Sequence, residues 1–406
     1  MKVLLVNKFH YLKGGSEKYY FELGELLKEH GNEVAYFSME DDKNIKTGDK
    51  EYFVKNSDMN SKNITKAFSV IYSKANYKKM KEALKDFKPD IVHINNFQRQ
   101  LSASIIKAIK EENIPIVFTA HDVQAICPAI TMIDNNDSIC EKCMHGKYIN
   151  CIKKKCNKGS TLKSIIGAIE GYYYRINKIY TKEIDFIITP SEFYKTKLIE
   201  DGIDKNKIAA IHNSIDSEKY DLKTEDDGYA LYFGRLSREK GILNLVEAFS
   251  MLDEGILYIA GKGPEEENIK NIIKNKKLDK RIKMLGFLNS DQMIDVIRKS
   301  KFVVVPSIWY ENCPYSVLET IAIGKPIIGA NIGGIPELVI NNENGLIYEY
   351  DNIDDLKEKM ELLFKDEELV NKFSNNSKEI MKENYSRNGY YNSLMNIYKK
   401  EIKKGL

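Results

Sequence analysis

Short apolar runs alternate with helix-length segments along most of this sequence, and this alternation limits the fold more than any other feature. Many of the runs are rich in β-branched and aromatic residues, as in Glu33 to Ser38, Pro115 to Thr119 and Tyr229 to Phe233. Repeated alternation of strand and helix predicts a parallel sheet with helices on both faces. The sequence therefore predicts an α/β fold built from Rossmann-like parallel sheets.

The alternation stops and then restarts, which predicts two domains. It ends at the segment from Ile208 to Asp216, passes through a polar link, and begins again at Tyr229. A length of 406 residues is long for one hydrophobic core and suits two domains of about 200 residues. We expect an N-terminal domain over residues 1–215, a C-terminal domain over residues 216–384, and a final helix over residues 385–406.

Composition and charge exclude several classes of protein. The net charge is only +3, whereas a nucleic-acid-binding domain should be strongly basic. No apolar run reaches the roughly 18 residues that are needed to span a bilayer, and the first ten residues have too short an apolar core for a signal peptide. We therefore expect a protein of the cytoplasm that has no nucleic-acid partner.

The stretch from Pro306 to Glu337 combines two carboxylates with a glycine pair. Glu311 is predicted in the loop after a strand, Glu319 about two turns into the next helix, and Gly333-Gly334 in the following loop. Such loops lie at the carboxyl ends of parallel strands, where open α/β folds bind ligands. Two solvated surface charges are the alternative interpretation, but the apolar, turn-rich loop around Glu311 favours a site.

Two further loops carry residues that are suited to an anionic ligand. Arg235 follows a predicted strand and Lys240 precedes a helix, so both side chains could converge on a diphosphate at the sheet edge. Near the N-terminus, Gly14 and Gly15 join the first strand to a helix for which Ser16 is a suitable N-cap. For the loop that carries Arg235 and Lys240, the alternative interpretation is that both side chains are merely solvated.

Polar or strand-end residues at other loops suggest contacts with the rest of a ligand. His121 follows the strand Pro115 to Thr119, where its ring is suited to hydrogen-bonding a sugar hydroxyl. Leu285 lies at another strand end, where backbone groups would read a nucleotide base. The loop residues expected to shape the pocket for the base and the sugar are Asn312, Cys313 and Pro314.

Taken together, these motifs resemble the signature regions of the family-4 retaining glycosyltransferases, which have the two-domain glycosyltransferase-B architecture. The resemblance spans nearly the whole chain, and its most specific parts are the Glu311 to Glu319 unit and the Arg235 to Lys240 turn. It implies two domains that face each other across a cleft, with the final helix packed back on the N-terminal domain. It also implies transfer of a hexosyl group from a nucleotide diphosphate sugar to an acceptor hydroxyl, with retention of the anomeric configuration and no metal cofactor for catalysis.

The resemblance also implies a role for each motif. Arg235 and Lys240 would stabilise the leaving diphosphate, Glu311 would hold hydroxyls of the donor sugar, Glu319 would bind the ribose, and His121 would orient the sugar. The residues expected to act in catalysis are His121, Arg235, Lys240 and Glu311. The residues expected to bind substrate are Gly14, Gly15, Leu285, Asn312, Cys313, Pro314 and Glu319.

A cysteine-rich insertion interrupts the first domain near residues 127–160. Cys140, Cys143, Cys151 and Cys156 lie within 17 residues, and Cys127 precedes them. Four thiolates in a reducing compartment have the ligand number and type of a structural zinc site. An iron–sulfur cluster, a redox pair and four unliganded thiols are the alternatives.

Basic, tyrosine-rich segments in the first domain predict contact with an anionic membrane surface. From Lys147 to Lys182 there are nine Lys or Arg residues against one acidic residue, Glu170, and the stretch from Lys62 to Lys88 is similar. A core-packing helix with a solvated basic face is the alternative. A polyprenyl-linked saccharide would suit such a surface as acceptor, and we expect a peripheral protein at the inner face of the cell membrane that acts in cell-surface polysaccharide synthesis.

Two other functions remain open from the sequence. The same architecture serves sugar-nucleotide epimerases, which need further acid–base carboxylates at the anomeric centre. A non-catalytic protein could also keep the fold as a binding module stapled by zinc. The loss or retention of activity in a Lys240 variant would separate the last alternative from an enzyme.

Overall fold

The chain forms two compact α/β units, each built on one parallel sheet. The computed structural model describes residues 1–55, 70–135, 138–220 and 224–405. Unit 1 comprises Met1–His212 together with the last helix from Tyr390 onward, and unit 2 comprises Asn213–Gly389. Part of the basic stretch from Lys62 to Lys88, residues 62–69, lies outside the described residues.

Unit 1 contains a seven-stranded sheet in the order β3-β2-β1-β4-β5-β6-β7, and every described strand pair is parallel. Its strands are β1 Lys2–Val6, β2 Glu33–Met39, β3 Lys50–Val54, β4 Ile91–Ile94, β5 Ile116–Thr119, β6 Phe186–Thr189 and β7 Ile208–Ala210. The helices before the second unit are α1 Gly15–Glu29, α2 Lys74–Phe87, α3 Ser104–Lys110, α4 Ile149–Lys154, α5 Thr161–Ile176 and α6 Glu192–Glu200. The four central strands are apolar and wholly buried over most of their length, as expected for a sheet covered on both faces.

Unit 2 contains a six-stranded parallel sheet in the order β10-β9-β8-β11-β12-β13. Its strands are β8 Tyr229–Phe233, β9 Ile256–Ala260, β10 Ile282–Gly286, β11 Phe302–Val305, β12 Ile327–Ala330 and β13 Gly345–Tyr348. Its helices are α7 Ile242–Ser250, α8 Glu266–Asn275, α9 Ser290–Lys299, α10 Tyr315–Ile323, α11 Ile335–Leu338, α12 Ile353–Lys365 and α13 Glu367–Asn384. Two parallel-sheet α/β domains, as predicted, are therefore present.

The last helix, α14 (Arg387–Gly405), clusters with unit 1 although unit 2 precedes it in sequence. Three of its tyrosines contact unit 1. The Tyr391 ring stacks on His30 at 3.7 Å between centroids, and Asn32 Nδ2 donates to the Tyr391 hydroxyl at 3.1 Å. Tyr390 and Tyr398 are buried and hydrogen-bond to residues of α1 and β4.

Candidate functional site

The candidate site of unit 2 lies at the carboxyl edge of its sheet, where β8 and β11 are neighbours. The strand order reverses between these two strands, and open α/β sheets bind ligands at such a reversal. A cavity of about 200 Å³ opens there. Its charged lining residues are Arg235, Lys240, Glu311 and Glu319, so the structure brings these four predicted residues together.

Glu311 and Lys240 form an ion pair at the wall of this cavity. Lys240 Nζ lies 2.6 Å from Glu311 Oε1, and Ser307 Oγ donates to the same oxygen at 2.7 Å. Burial alone would raise the pKa of Glu311, but the Lys240 ammonium and these hydrogen bonds outweigh it and hold the pKa below its usual value. Glu311 is therefore an ionised carboxylate in a buried position.

Two glycines allow the loops that carry this pair to approach other backbone atoms. Gly241 has φ +67°, and a Cβ atom there would come 1.7 Å from the Pro306 carbonyl oxygen. Gly333 has φ +59°, and its Cβ would come 2.4 Å from the Glu311 carbonyl oxygen, to which Gly334 N donates at 2.8 Å. The position of Glu311 thus depends on close backbone contacts that a side chain would prevent.

Arg235 and Glu319 complete the charged lining. Arg235 is exposed just after β8, and its carbonyl accepts a hydrogen bond from the Tyr232 hydroxyl at 2.7 Å. In the described part of the chain, no carboxylate pairs with its guanidinium. Glu319 is half-buried on α10, one turn after Ser316, which also lines the cavity. The cavity therefore combines two cations with two carboxylates.

The residues predicted to shape the rest of the pocket are not among those that line this cavity. Leu285 is half-buried in β10, at the edge of the same sheet. Asn312 and Cys313 are buried, and Pro314 directly precedes α10. Burial raises the pKa of Cys313 to about 12, so this residue is a neutral thiol at physiological pH.

His121 lies at the carboxyl edge of the unit 1 sheet, directly after β5, as its position in the sequence predicts. Its Nε2 lies 3.1 Å from Oδ1 of Asn95, which follows β4. Burial lowers the pKa of His121 to about 3, so the ring is neutral at physiological pH. His121 can therefore act as a hydrogen-bonding group but carries no charge.

The glycine loop of unit 1 differs in detail from the prediction. Helix α1 begins at Gly15 and is capped by Gly14 in an extended conformation, so Ser16 lies in the first turn and is not the N-cap. Ser16 Oγ donates to Glu17 Oε1 at 3.0 Å, and Asn7 Nδ2 donates to the same oxygen at 3.3 Å. The positive end of α1 therefore already has a buried carboxylate of its own.

The cysteines of the insertion gather in one place. Cys143 and Cys151 belong to a buried cluster against which Cys156 packs. Burial, and after it the neighbouring Cys127, Cys151, Cys156 and Cys140, raises the pKa of the Cys143 thiol. Across residues 1–55, 70–135, 138–220 and 224–405, no group of three or more His, Cys, Asp or Glu side chains is arranged to hold a metal ion. The thiols are thus grouped but not preorganised as ligands.

Helix α5 presents an apolar stripe to the outside of unit 1. The exposed residues of this stripe are Leu162, Ile169, Tyr172 and Ile176, of which Leu162 is 60% exposed and Ile176 is 77% exposed. Glu170, the acidic residue of the basic segment, is buried on the other side and accepts hydrogen bonds from Arg99 N and the Tyr174 hydroxyl. No helix in the described ranges is both long and apolar enough to span a bilayer.

Two residues that contact the predicted site residues were not predicted from the sequence. Ser307 is buried and donates to Glu311, and Asn95 is buried and contacts His121. Both follow a wholly buried strand by one or two positions. A polar residue directly after a buried strand is the signal that could have identified them.

Two protein-family models match this chain. The model described as Glycosyltransferase Family 4 matches residues 13–219, which is about half of the chain, and the model described as Glycosyl transferases group 1 matches residues 214–380. An uncharacterized glycosyltransferase of Methanocaldococcus jannaschii, MJ1178, is 33% identical over 225 residues, which cover 55% of this chain and 62% of that protein. The chain spans 54–62% of the length of the first curated relatives that it matches.

Solved structures match over nearly the whole chain. A glycosyltransferase from Rickettsia africae has a TM-score of 0.73 at 22% identity and covers 99% of this chain and 98% of its own. Anabaena Alr3699/HepE in complex with UDP-glucose has a TM-score of 0.70 at 16% identity, and the match covers 98% of this chain and 100% of the Anabaena chain. At these identities the likeness concerns the fold.

Proposed function

The chain belongs to the family-4 glycosyltransferases, and from this premise we propose that it transfers a hexosyl group from a nucleotide diphosphate sugar to a lipid-linked saccharide. The observation that carries the proposal is the cavity lined by Arg235, Lys240, Glu311 and Glu319. Two cations suit a diphosphate, and carboxylates accept hydrogen bonds from sugar and ribose hydroxyls. The UDP-glucose bound to the Anabaena neighbour is a nucleotide diphosphate sugar, which supports this class of donor.

In the proposed reaction, the bond between the anomeric carbon and the diphosphate breaks, the acceptor hydroxyl oxygen bonds to the same carbon, and the hydroxyl proton passes to the departing diphosphate. Negative charge develops on the leaving oxygen, and Arg235 and Lys240 stabilise it without a metal ion. Glu311 holds hydroxyls of the sugar and Glu319 holds the ribose. Attack on the face that the diphosphate leaves would retain the anomeric configuration, as the family resemblance implies.

The first experiment is a donor panel. Purified protein is incubated with nucleotide sugars, with and without a membrane extract, and release of nucleoside diphosphate is measured. We expect release from one donor only, dependent on the extract, and a product whose anomeric configuration by NMR matches that of the donor. Hydrolysis or isomerisation of the donor without any acceptor would instead favour the epimerase, and tight nucleotide binding without turnover would favour the binding module.

Support for a lipid-linked acceptor comes from the apolar stripe on α5. Leu162, Ile169 and Ile176 recur every seven residues and therefore share one face of the helix. With Glu170 buried, the charges that the segment from Lys147 to Lys182 exposes are basic. Apolar side chains flanked by lysines suit the boundary of an anionic leaflet, where the acceptor of a cell-surface polysaccharide would be presented.

Replacing Leu162, Ile169 and Ile176 together by serine is expected to reduce binding to vesicles that contain anionic phospholipid. The reason is the loss of apolar surface that would insert at the leaflet boundary. Each Å² of apolar surface removed from water contributes roughly 25 cal/mol of favourable free energy. Co-sedimentation with such vesicles measures the effect. The matched control is Leu362→Ser, which removes a half-exposed leucine from α12 of unit 2 and should leave binding unchanged. Equal binding by the triple variant and the unaltered protein would contradict the membrane assignment.

We also propose that the cysteine cluster holds a structural zinc ion. The packing of Cys143, Cys151 and Cys156 in one cluster supports a shared site, and binding of the metal would draw the thiols together with release of their protons. About one zinc per chain is expected by elemental analysis after purification without chelator. The double change Cys143→Ser and Cys151→Ser should abolish it, whereas Cys313→Ser in unit 2 should not. Metal-free protein with an unchanged melting temperature would rule the site out.

A further inference from the structure

Asn95 contacts the imidazole ring of His121 at Nε2. Because an amide oxygen only accepts, the His121 Nε2 that lies 3.1 Å from Asn95 Oδ1 carries the ring proton in this arrangement. The lone pair of the ring is then on His121 Nδ1. Asn95 is wholly buried, and its Nδ2 has no hydrogen-bond partner within the described ranges.

Tyr19 holds a second side of His121. The two rings meet edge to face, with centroids 4.7 Å apart and an angle of 67° between their planes. Tyr19 is buried, and its hydroxyl hydrogen-bonds to Thr119 Oγ1 at 3.3 Å and to the hydroxyl of Tyr390 on α14. The orientation of the Tyr19 ring against His121 therefore depends on Tyr390, which lies 371 positions away in the sequence.

A second contact of α14, between Tyr398 and His93, supports the same arrangement. His93 is wholly buried, with Nε2 2.7 Å from Thr119 Oγ1 and Nδ1 bonded to the Tyr398 hydroxyl. Tyr390 and Tyr398 are eight positions apart and thus lie on the same face of α14. The hydrogen-bonded chain runs from Tyr390 through Tyr19, Thr119 and His93 back to Tyr398, so both of its ends are on α14.

We propose that Asn95 and Tyr19 are positioning residues for His121, and that α14 takes part in the positioning through Tyr390. The inference rests on the proposed function, since it takes the donor sugar from there, and on the role that the family resemblance implies for His121 in orienting that sugar. A small displacement of the His121 ring would weaken its contact with the sugar without changing the diphosphate contacts of Arg235 and Lys240.

Nuclear magnetic resonance of the histidine rings tests the positioning without any assay of activity. The chain has six histidines, and His121→Asn assigns the His121 signals by their loss. Asn95→Leu and Tyr390→Phe are each expected to shift the His121 ring resonances. Tyr390→Phe loses a single oxygen atom, so it keeps the test decisive even if Asn95→Leu does not fold.

Tyr391→Phe is the matched control, since it also removes one hydroxyl through which α14 contacts unit 1. It should shift the signals of His30, on which Tyr391 stacks, and leave His121 unchanged. An unshifted His121 in Tyr390→Phe would overturn the part assigned to α14, and an unshifted His121 in Asn95→Leu would overturn the part assigned to Asn95. A His121 shift of equal size in Tyr391→Phe would mean that the shifts in both test variants report a general loosening of the structure and not the positioning of His121.

Ligand binding separates this inference from the proposed function. With the donor identified by the panel, Tyr390→Phe is expected to weaken binding of the nucleotide sugar by about tenfold, the value of one hydrogen bond. Binding of the matching nucleoside diphosphate, which lacks the sugar, should be unchanged. Equal weakening of both ligands, or of neither, would overturn the positioning role. If no nucleotide sugar binds to the unaltered protein, the proposed function fails while the resonance shifts still decide the positioning.

Discussion

Replacing Lys240 by alanine is expected to lower the rate of sugar transfer by about a hundredfold or more, because its ammonium would stabilise the charge that develops on the departing diphosphate. The initial rate of nucleoside diphosphate release from the active donor measures this. Lys276→Ala is the matched control. Lys276 Nζ also lies 2.6 Å from a carboxylate, that of Glu247, but this pair is exposed on unit 2 and its loss should leave the rate unchanged.

The same substitution also removes the partner of a buried carboxylate, and this effect has to be separated from catalysis. Glu311 would be left without its cation, at a cost of roughly 3 kcal/mol in the free energy of unfolding. The double variant Lys240→Ala/Glu311→Gln removes the uncompensated charge, so urea unfolding should show recovered stability while the rate remains low. A stable Lys240→Ala protein that transfers sugar at the original rate would refute the role of Lys240.

Replacing Gly241 by alanine is expected to destabilise unit 2 by about 2–5 kcal/mol. About 1–2 kcal/mol comes from a non-glycine residue at φ +67°, and about 1–3 kcal/mol from the Cβ that would meet the Pro306 carbonyl oxygen. Relief of that contact would also separate the loops that carry Lys240 and Glu311. Urea unfolding and titration with nucleoside diphosphate measure the two consequences, and both stability and affinity should fall.

Gly228→Ala is the control for this change, since Gly228 has φ +77° but a Cβ atom there would have no neighbouring atom within 4 Å. It should therefore cost only the backbone strain of about 1–2 kcal/mol and leave nucleotide affinity unchanged. The difference between the two variants isolates the contact with Pro306. Equal losses in both would mean that the close approach of the loops has no energetic weight.

Much of the fold could be predicted because buried parallel strands have continuous apolar sequences. Phe302 to Val305 is such a run, and the structure contains it as β11 with the same bounds. The site residues of unit 2 could be predicted for a related reason. Loops after parallel strands meet at one edge, so Arg235 after β8 and Glu311 after β11 had to lie close together once the sheet order was assumed.

The elements that were missed carry weak signals. β3 (Lys50–Val54) is an edge strand that begins with two charged residues, and β7 (Ile208–Ala210) has only three residues. β13 (Gly345–Tyr348) begins with a glycine, which is unfavourable in strands. Tertiary pairing with a buried neighbour, rather than local sequence preference, makes these segments strands.

The surroundings of His121 could not be predicted because they depend on distant pairing. A tyrosine in a terminal helix is typical of any amphipathic helix, and Tyr390 has no local feature that points to Tyr19. His93 reads as an interruption of an apolar strand until its partners Thr119 and Tyr398 are known. Long-range hydrogen bonds between buried polar groups leave no periodic pattern in one sequence.

The assignment of α14 to unit 1 has a consequence for biosynthesis. A ribosome releases β1 to β7 long before it releases Tyr390 and Tyr398. Tyr19 and His93 can therefore bond to Thr119 early, but their partners on α14 are absent until all of unit 2 has been made. Unit 2 is one continuous segment and can fold as soon as it emerges. The domain translated first is therefore the last to be completed.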